Sequence, residues 1–214
     1  MYRSEAVSLG GFIQQISVCY VNRGYYFYVP GHIPEDKSPT DIDTKLIDKY
    51  RIDISKAYRS KRKKKGLSNV HYIRFKSDFF LFATTGENEI FEDEKDVICD
   101  IRKQPLVFSD YDIRLRDDKL RVSIYYPTWH KLSHYFHSIA LTTTAKELEK
   151  QIYFLPFEPY KGVRSQLLTM VEELNHRRRK ASMNPIRKTK AVRFKQFIYR
   201  PFDKESPVFY RNNK

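Results

Sequence analysis

The amino-acid sequence predicts an α+β fold in which an antiparallel sheet is backed by helices. Short, aromatic-rich apolar runs separated by turn residues dominate the first 126 residues, which is typical of strands. After Pro127 the apolar residues follow helical spacing. Hydrophobic residues make up 41% of the 214 residues, which is enough to build a packed core.

The first predicted elements are two strands around a turn. Imperfect alternation of apolar residues over positions 12–21 and an aromatic run over positions 25–29 predict the strands. The tripeptide Asn22-Arg23-Gly24 predicts the turn between them. The Pro and Gly residues of positions 30–34 then predict a loop.

Two helices follow, each with a recognisable start. Ser38 followed by Pro39 is typical of an N-cap with Pro at the first helical position, and helical spacing continues to Tyr50. Ser55 is the predicted N-cap of a shorter helix that carries a run of lysines and ends at Gly66. The lysine run would therefore lie at the end of a helix.

Strand pairs complete the first region. Apolar patterns predict strands over positions 70–75 and 79–83, with an acidic loop beyond them. Two more strands are predicted over positions 106–115 and 120–126, joined by a tight turn. A ferredoxin-like first half, built on a split β-α-β unit, is one arrangement of these elements.

Helices dominate the remainder. Helical spacing predicts helices over positions 129–139, after Thr144 as N-cap, and over positions 161–181. Basic and apolar residues interleave over positions 192–199, which predicts a last strand.

The change of pattern near Pro127 is the best candidate for a domain boundary. It separates a strand-rich α+β region, residues 1–126, from a helical region with a basic C-terminal strand, residues 127–214. No low-complexity linker lies between the two regions, so we expect them to pack as one unit.

Composition indicates a cytoplasmic protein that does not span a membrane. No run of about eighteen apolar residues exists, and no signal peptide is apparent at the N-terminus. Cys19 and Cys99, the two cysteines, have no partner motif, so neither a disulfide framework nor a zinc finger is expected. No glycine-rich phosphate loop occurs, and no cofactor is expected.

Positive charge is concentrated in two acid-free segments. The first basic segment, residues 55–76, holds nine Lys and Arg residues, and the second basic segment, residues 176–200, holds ten. The net charge of the whole chain is +14, so the remainder is net acidic. Such clusters repel themselves, and a polyanion relieves the repulsion while it releases counterions. We therefore expect binding to RNA or DNA.

The candidate site residues are the cations of these segments and the aromatic residues beside them. Candidate phosphate contacts in the first segment are Lys56, Arg59, Lys61, Arg62, Lys63, Lys64, Lys65 and Arg74. In the second segment they are Arg177, Arg178, Arg179, Lys180, Arg187, Lys188, Lys190, Arg193 and Lys195. Exposed rings can stack on unpaired bases, and the candidates are Tyr58, Tyr72, Phe194 and Tyr199.

The alternative function is a metal-dependent nuclease, or a transposition or replication enzyme. Asp78, Glu92 and Glu94 with the nearby Lys95 can be fitted to a restriction-type metal site, although a solvated acidic loop is the better interpretation. A third class is an interaction module whose basic surface meets an acidic protein.

Three histidines also have the spacing of zinc ligands. His130, His134 and His137 share one face of a predicted helix. Lys131 stands where a zincin helix needs its glutamate, and a positive charge would repel a metal. We therefore predict no metal site.

Four blocks of the chain resemble an uncharacterised family of bacterial proteins found on plasmids and other mobile elements. The blocks are YYFYVPGHIPEDK from Tyr25, DTKLIDKYRIDIS from Asp43, DIRKQPLVF from Asp100 and LPFEPY from Leu155. The family has no assigned activity, so no residue roles follow from it. The resemblance implies a bacterial setting in replication, transposition or defence.

The combined prediction is a nucleic-acid-binding protein of a mobile element or defence system, acting as a subunit of a nucleoprotein complex.

Overall fold

The computed structural model describes residues 2–205 and the backbone of residues 208 and 209. Helices and antiparallel sheets together make up the structure, so the α+β class is confirmed. The chain divides into two units: Met1–Pro105 with Ile198–Lys214, and Leu106–Phe197. The change of pattern near Pro127 lies inside the second unit.

The N-terminal segment of the first unit is helical where the sequence predicted a strand. Helix α1, Leu9–Gln14, continues into a π-helix, Gln15–Tyr20, and a 3-10 turn, Val21–Arg23. The strand prediction for residues 12–21 is wrong because Phe12, Ile16 and Tyr20, all buried, repeat every four residues as in a helix. The predicted turn is present, and Gly24 ends the 3-10 turn with a φ of 93° that favours glycine.

A four-stranded antiparallel sheet forms the centre of the first unit. Its strands are β1 Phe27–His32, β2 Val70–Phe75, β3 Asp78–Ala83 and β4 Cys99–Asp100. Their order in the sheet is β2-β3-β1-β4. The predicted β2–β3 pair is confirmed, whereas β1 continues to His32 through part of the predicted loop.

Two of the three other helices of this unit begin where capping residues predicted. Helix α2, Pro39–Lys49, starts after Ser38, whose hydroxyl accepts a hydrogen bond from the N–H of Asp41. Helix α3, Lys56–Lys64, starts after Ser55, whose hydroxyl accepts from the N–H of Tyr58 at 3.1 Å. The acidic loop contains one helical turn, α4 Ile90–Asp93.

Apolar residues cover both faces of the sheet. On one face Val29, Tyr72 and Leu81 pack in a cluster with Tyr50 and with Leu46 of α2. On the other face Phe12 of α1 contacts Phe75 and Phe80, with ring centroids 5.7 and 6.1 Å apart. The His71 ring lies on this second face, against Tyr20. Helix α2 and the N-terminal helices therefore occupy opposite faces.

The second unit combines a three-stranded antiparallel sheet with helices. The strands are β5 Leu106–Phe108, β6 Tyr111–Arg116 and β7 Lys119–Ile124, in the order β5-β6-β7. The single strand predicted over residues 106–115 is thus divided, and Ser109 at the break has a φ of 52°. The helices are α5 Tyr126–Ile139, α6 Ala145–Tyr153, α7 Lys161–Lys180 and α8 Lys188–Ala191.

Helix α7 packs directly on strand β7. The Gln166 amide donates to the carbonyl of Ile124 and accepts from its N–H, at 3.0 and 2.8 Å. Gly162 allows the close approach, because a Cβ at this position would lie 2.4 Å from the carbonyl oxygen of Val122. The buried side of α7, including Val163, Leu167 and Leu174, completes the core of this unit as the periodicity predicted.

The chain returns to the first unit at its C-terminal end. The strand predicted over residues 192–199 is reduced to β8, Ile198–Tyr199, which pairs with β9, Val208–Phe209. Val192 is buried beside α8 in the second unit, so this segment does not follow strand alternation. Among the helices of the described residues, none has the length and apolar character needed to cross a membrane.

Candidate nucleic-acid interface

One face of helix α3 presents the first basic segment to a cleft in the first unit. Lys56, Arg59, Ser60 and Lys63 line this cleft, and their spacing of three, four and seven residues places them on one side of the helix. Lys61 on the opposite side of the helix and Lys65 at its C-cap do not line the cleft. The structure therefore divides the lysine run, and only part of it faces the cleft.

The cleft has a cationic rim and a volume of about 530 Å³. Lys56 and Lys63 are exposed, and Arg23 joins them from the 3-10 turn on the other side. No Asp or Glu lines the cleft among the described residues. An adjoining hollow of about 380 Å³ shares Arg23, Lys63 and Thr84 and also has no acidic lining residue in the described part of the chain. The rim is therefore a continuous region of positive charge.

The floor of the cleft is aromatic. The His71 ring stacks on Tyr20 with centroids 4.8 Å apart, and Tyr25 contacts the same ring at 4.8 Å. Tyr20 is contributed by the π-helix, whose wide turn also brings Gln15 and Cys19 to the cleft. His71 is contributed by β2. Strand and helix thus supply one layer of packed rings.

A hydrogen-bond network fixes the His71 ring. The Tyr2 hydroxyl donates to the carbonyl of Tyr72 at 2.7 Å and accepts from the N–H of Tyr72 at 3.0 Å. It also lies 3.1 Å from Nδ1 of His71. Because the only proton of the hydroxyl is used on the carbonyl, Nδ1 of His71 is the donor in this third bond.

Burial and the neighbouring cations keep the floor uncharged. Desolvation, together with the positive charges of Arg59 and Arg23, lowers the pKa of His71 to about 3. Burial raises the pKa of Tyr25 and raises that of Tyr20 well above its usual value. All three rings are neutral near pH 7, so the positive charge belongs to the rim alone.

Two buried polar atoms beside the floor have no hydrogen-bond partner within the described residues. They are Nε of Arg59 and Oδ1 of Asn69. The rest of each side chain is anchored: Arg59 Nη2 donates to the carbonyl of Ile52 at 2.8 Å, and Asn69 Nδ2 donates to the carbonyl of Arg59 at 3.0 Å. The cleft therefore holds one unused donor and one unused acceptor on fixed side chains.

Other cations of the first segment serve the fold. Arg62 donates from Nε and Nη2 to the carbonyl of Ser68, which ties α3 to the start of β2. Arg74 is 5% exposed and pairs with Asp43 at 2.9 Å, so its prediction as a phosphate contact is corrected. Lys61, Lys64 and Lys65 are exposed and have no ion pair among the described residues.

The second basic segment is largely used within the second unit. Arg178 is 1% exposed and donates to the carbonyls of Ala140, Thr143 and Asn184, which corrects its prediction as a phosphate contact. Arg193 donates to the carbonyls of Leu155 and Phe157. These hydrogen bonds hold loops in place, and they use the guanidinium groups of Arg178 and Arg193 within the protein.

The remaining cations of the second basic segment are exposed, and several of them bind other residues of the protein. Arg187 binds Glu149 in a two-bond contact at 2.9 Å, Lys188 pairs with Glu172, and Arg177 donates to the carbonyl of His137. The exposed cations without an ion pair or a side-chain hydrogen bond given above are, in the described part of the chain, Arg179, Lys180, Lys190 and Lys195.

The predicted stacking residues have different environments. Tyr72 is completely buried, and its hydroxyl donates to Asp43, so it cannot stack on a base and that prediction is corrected. Tyr199 packs over Gly10, and its backbone binds Gln14. Tyr58 and Phe194 are 49% and 51% exposed, on α3 and after α8 respectively. Neither lines the cleft.

The acidic residues of the alternative nuclease site do not come together. Asp78 pairs with His32 at the first position of β3. Phe91 of α4 contacts Phe27, which pairs with Ala83 at the other end of β3, roughly 17 Å away at about 3.3 Å per residue. Glu92 lies in this helical turn and Glu94 is its C-cap, and Glu94 accepts from the Tyr50 hydroxyl.

The histidines of α5 are not arranged as ligands either. Nε2 of His137 lies 3.2 Å from a Glu173 oxygen, and Nδ1 lies 3.2 Å from Nη1 of Arg177. His130 lies near the ring of Tyr126. In residues 2–205, no group of three His, Cys, Asp or Glu residues is placed to hold a metal ion.

Sequence reasoning missed several cleft residues. Arg23 was assigned only to a turn, and His71 and Tyr25 were assigned to strands. Asn69 was not singled out at all. A signal was present in the basic and aromatic character of residues 20–25, but only the fold brings this segment beside α3.

Comparison with known proteins adds no assignment. No protein-family model matches the chain, and no curated protein is similar to it. The resemblance to a mobile-element family therefore stays a prediction.

Proposed function

We propose that this protein binds nucleic acid, RNA or DNA, at the cleft beside helix α3. The observation that carries the proposal is the arrangement of four cations, Arg23, Lys56, Arg59 and Lys63, around a neutral aromatic floor without an acidic lining residue in the described part of the chain. Unpaired like charges in a concave region repel one another, and a bound phosphate relieves this repulsion.

The chemistry of the side chains supports phosphate as the anion. Arginine and lysine are the usual phosphate-binding residues, and each contact to a nucleic acid releases condensed counterions. Lys56 and Lys63 are exposed and have no ion pair among the described residues, so both can bind without breaking an internal bond. The exposed cations of the second segment, Arg179 and Lys180 among them, are further phosphate contacts on the second unit in this proposal.

The setting is part of the proposal as well. In this proposal the protein is a cytoplasmic subunit of a nucleoprotein complex, and the resemblance to mobile-element proteins supplies the bacterial setting in replication, transposition or defence. Sequence-independent phosphate contacts suit such a subunit, since they hold a polymer without selecting its sequence.

Helix α3 offers a charge-matched test. Lys56 and Lys63 face the cleft, whereas Lys61 on the opposite side of the helix and Lys65 at its C-cap do not line it. The double variants K56A/K63A and K61A/K65A therefore remove the same charge from the same element. Binding to a fluorescent single-stranded oligonucleotide is measured by anisotropy across a salt series.

We expect K56A/K63A to lose affinity by roughly ten- to thirty-fold at 0.1 M salt, and its salt slope to fall by about 1.4, or about 0.7 per lost contact. K61A/K65A should stay within about twofold of the wild type, because its remaining rim is intact. Equal losses in the two variants, or binding by the wild type that does not respond to salt, would overturn the proposal.

A further inference from the structure

The α3 cleft has two chemical zones, and each matches one part of a nucleotide. The rim is cationic, with Arg23, Lys56 and Lys63 exposed, which suits phosphate. The floor of Tyr20, Tyr25 and His71 is aromatic and uncharged, with Tyr20 and His71 stacked on each other and Tyr25 tilted by 45° to His71, which suits contact with a nucleobase. A simple inorganic anion would use only the rim, and a purely apolar ligand would use only the floor.

The size of the cleft argues for a single nucleotide unit. Clefts that enclose small ligands measure roughly 300–1,000 Å³, and this cleft measures about 530 Å³. A duplex keeps its bases paired and stacked inside and presents phosphates on the outside, so it can reach the rim but cannot place a base on the floor. An unpaired strand can place a base on aromatic side chains while cations hold its backbone.

The two polar atoms beside the floor that lack a hydrogen-bond partner support the hypothesis that a nucleobase occupies the cleft. A buried donor or acceptor that is left without a partner is unfavourable, and a ligand that supplies the partner removes this penalty. Oδ1 of Asn69 accepts and Nε of Arg59 donates, and Asn69 is 4% exposed. The edge of every nucleobase offers both donors and acceptors, so its polarity matches these two side-chain atoms.

We infer that the α3 cleft takes one unpaired nucleotide of a single-stranded segment, with its base against the floor of Tyr20, Tyr25 and His71 and its phosphates on Arg23, Lys56 and Lys63. This inference rests on the proposed function, since it names the form of nucleic acid that the same cleft binds. His71 contributes a ring surface, held in place by Tyr2.

The first experiment compares forms of one polymer with the full chain. The probes are a fluorescent single-stranded 12-mer and the blunt duplex of the same sequence, for both RNA and DNA, at equal salt. Stacking contributes about 1–3 kcal/mol per base, so we expect the single strand to bind roughly tenfold more tightly or better. Salt-dependent binding to duplex that equals or exceeds binding to the single strand overturns the inference and leaves the proposed function standing. No binding to any probe overturns both.

The second experiment uses a cysteine of the cleft as a reporter. Cys19 lines the cleft, and Cys99, on β4, does not. Both side chains are partly exposed, so the two thiols form an internal pair of probe and control. Burial raises the pKa of Cys19, so alkylation is followed at about pH 8.5, where more thiolate is present.

Saturating single-stranded 12-mer should slow the alkylation of Cys19 at least fivefold and leave the rate at Cys99 unchanged. Peptide mass spectrometry separates the two sites. An unchanged rate at Cys19, measured with an oligonucleotide that binds tightly and with salt dependence, would overturn the inference because the ligand would then lie outside the cleft. K56A/K63A should lose the protection together with the affinity.

Discussion

The hydroxyl oxygen of Tyr2 lies 3.1 Å from Nδ1 of His71. This contact ties the N-terminal segment to the floor of the candidate cleft. Tyr2 also bonds both backbone groups of Tyr72, so the segment is attached to β2 like an additional partner. The floor is therefore formed before any ligand is present, which reduces the entropy that binding must overcome.

The state of His71 makes stability depend on pH. Its pKa is lowered from 6.5 to about 3 in the folded protein, chiefly by burial. Between these two values the unfolded chain binds a proton that the folded chain does not, so stability is complete above pH 6.5 and falls as the pH drops toward 3. One such group contributes about 1.4 kcal/mol per pH unit.

Denaturant unfolding at pH 7, 6 and 5 measures this effect against the variant H71Q, which cannot titrate. We expect the wild type to lose roughly 2 kcal/mol more unfolding free energy than H71Q between pH 7 and 5. In parallel, NMR signals of the His71 ring should stay unchanged from pH 5 to 8. Identical pH profiles for the two proteins would contradict the prediction.

The ion pair under the sheet is a second testable feature. Asp43 of α2 accepts from the Ser4 hydroxyl, the Tyr72 hydroxyl and Nε of Arg74, at 2.9, 2.6 and 2.9 Å. Replacing Asp43 by Ala leaves the buried Arg74 cation without its main partner. We expect D43A to lose about 3–5 kcal/mol of unfolding free energy in denaturant titrations.

The matched control for D43A is D48A. Asp48 is the second-last residue of the same helix and is exposed. Its replacement should change the unfolding free energy by less than about 0.5 kcal/mol. Similar losses in the two variants would mean that α2 tolerates neither change, and the assigned role of the buried pair would then be wrong.

Adjacent arginines on α7 provide the third prediction. Arg178 is buried and bonds three carbonyl groups, whereas Arg179 beside it is exposed. R178M leaves these carbonyls without their donor, at about 1–3 kcal/mol for each one that water does not reach. We expect R178M to lose roughly 3 kcal/mol or more of unfolding free energy and R179M to lose less than about 0.5 kcal/mol. Denaturant unfolding measures both values.

Local signals explain which parts of the fold the sequence predicted. The starts of α2 and α3 followed from Ser38 with Pro39 and from Ser55, because capping depends on neighbouring residues alone. The β2–β3 hairpin followed from alternation and its short turn. The strand prediction for residues 12–21 was wrong because apolar residues with mixed spacing are compatible with a strand or a helix. Tertiary packing decides between the two. The ferredoxin-like arrangement of the first half stays a prediction.

The candidate site was predicted only in part. The number of lysine and arginine residues showed that positive charge is concentrated on α3. Such a count cannot distinguish a cation that faces a cleft from one that donates to a backbone carbonyl. Arg62, Arg178 and Arg193 belong to the second kind. Arg23 and His71 lie far apart in the chain, and their meeting at one cleft depends on the packing of the N-terminal helical segment against β2.

Arg23 gives the last prediction, since it lies on both the cleft and the adjoining hollow. It is exposed, on the short turn that Gly24 ends, and its loss should leave the fold intact. Removing one phosphate contact should weaken binding of a single-stranded oligonucleotide roughly fivefold at 0.1 M salt and lower the salt slope by about 0.7. Anisotropy titrations of R23A across a salt series measure both values.

The charge-matched control for R23A is K45A. Lys45 is exposed on α2, which packs on the face of the sheet opposite to His71. A net charge effect would weaken binding equally in R23A and K45A, whereas a contact in the cleft weakens only R23A. Because Arg23 also lowers the pKa of His71, R23A should in addition raise that pKa, which a ring titration by NMR can detect. A cleft role thus requires both changes in R23A and neither in K45A.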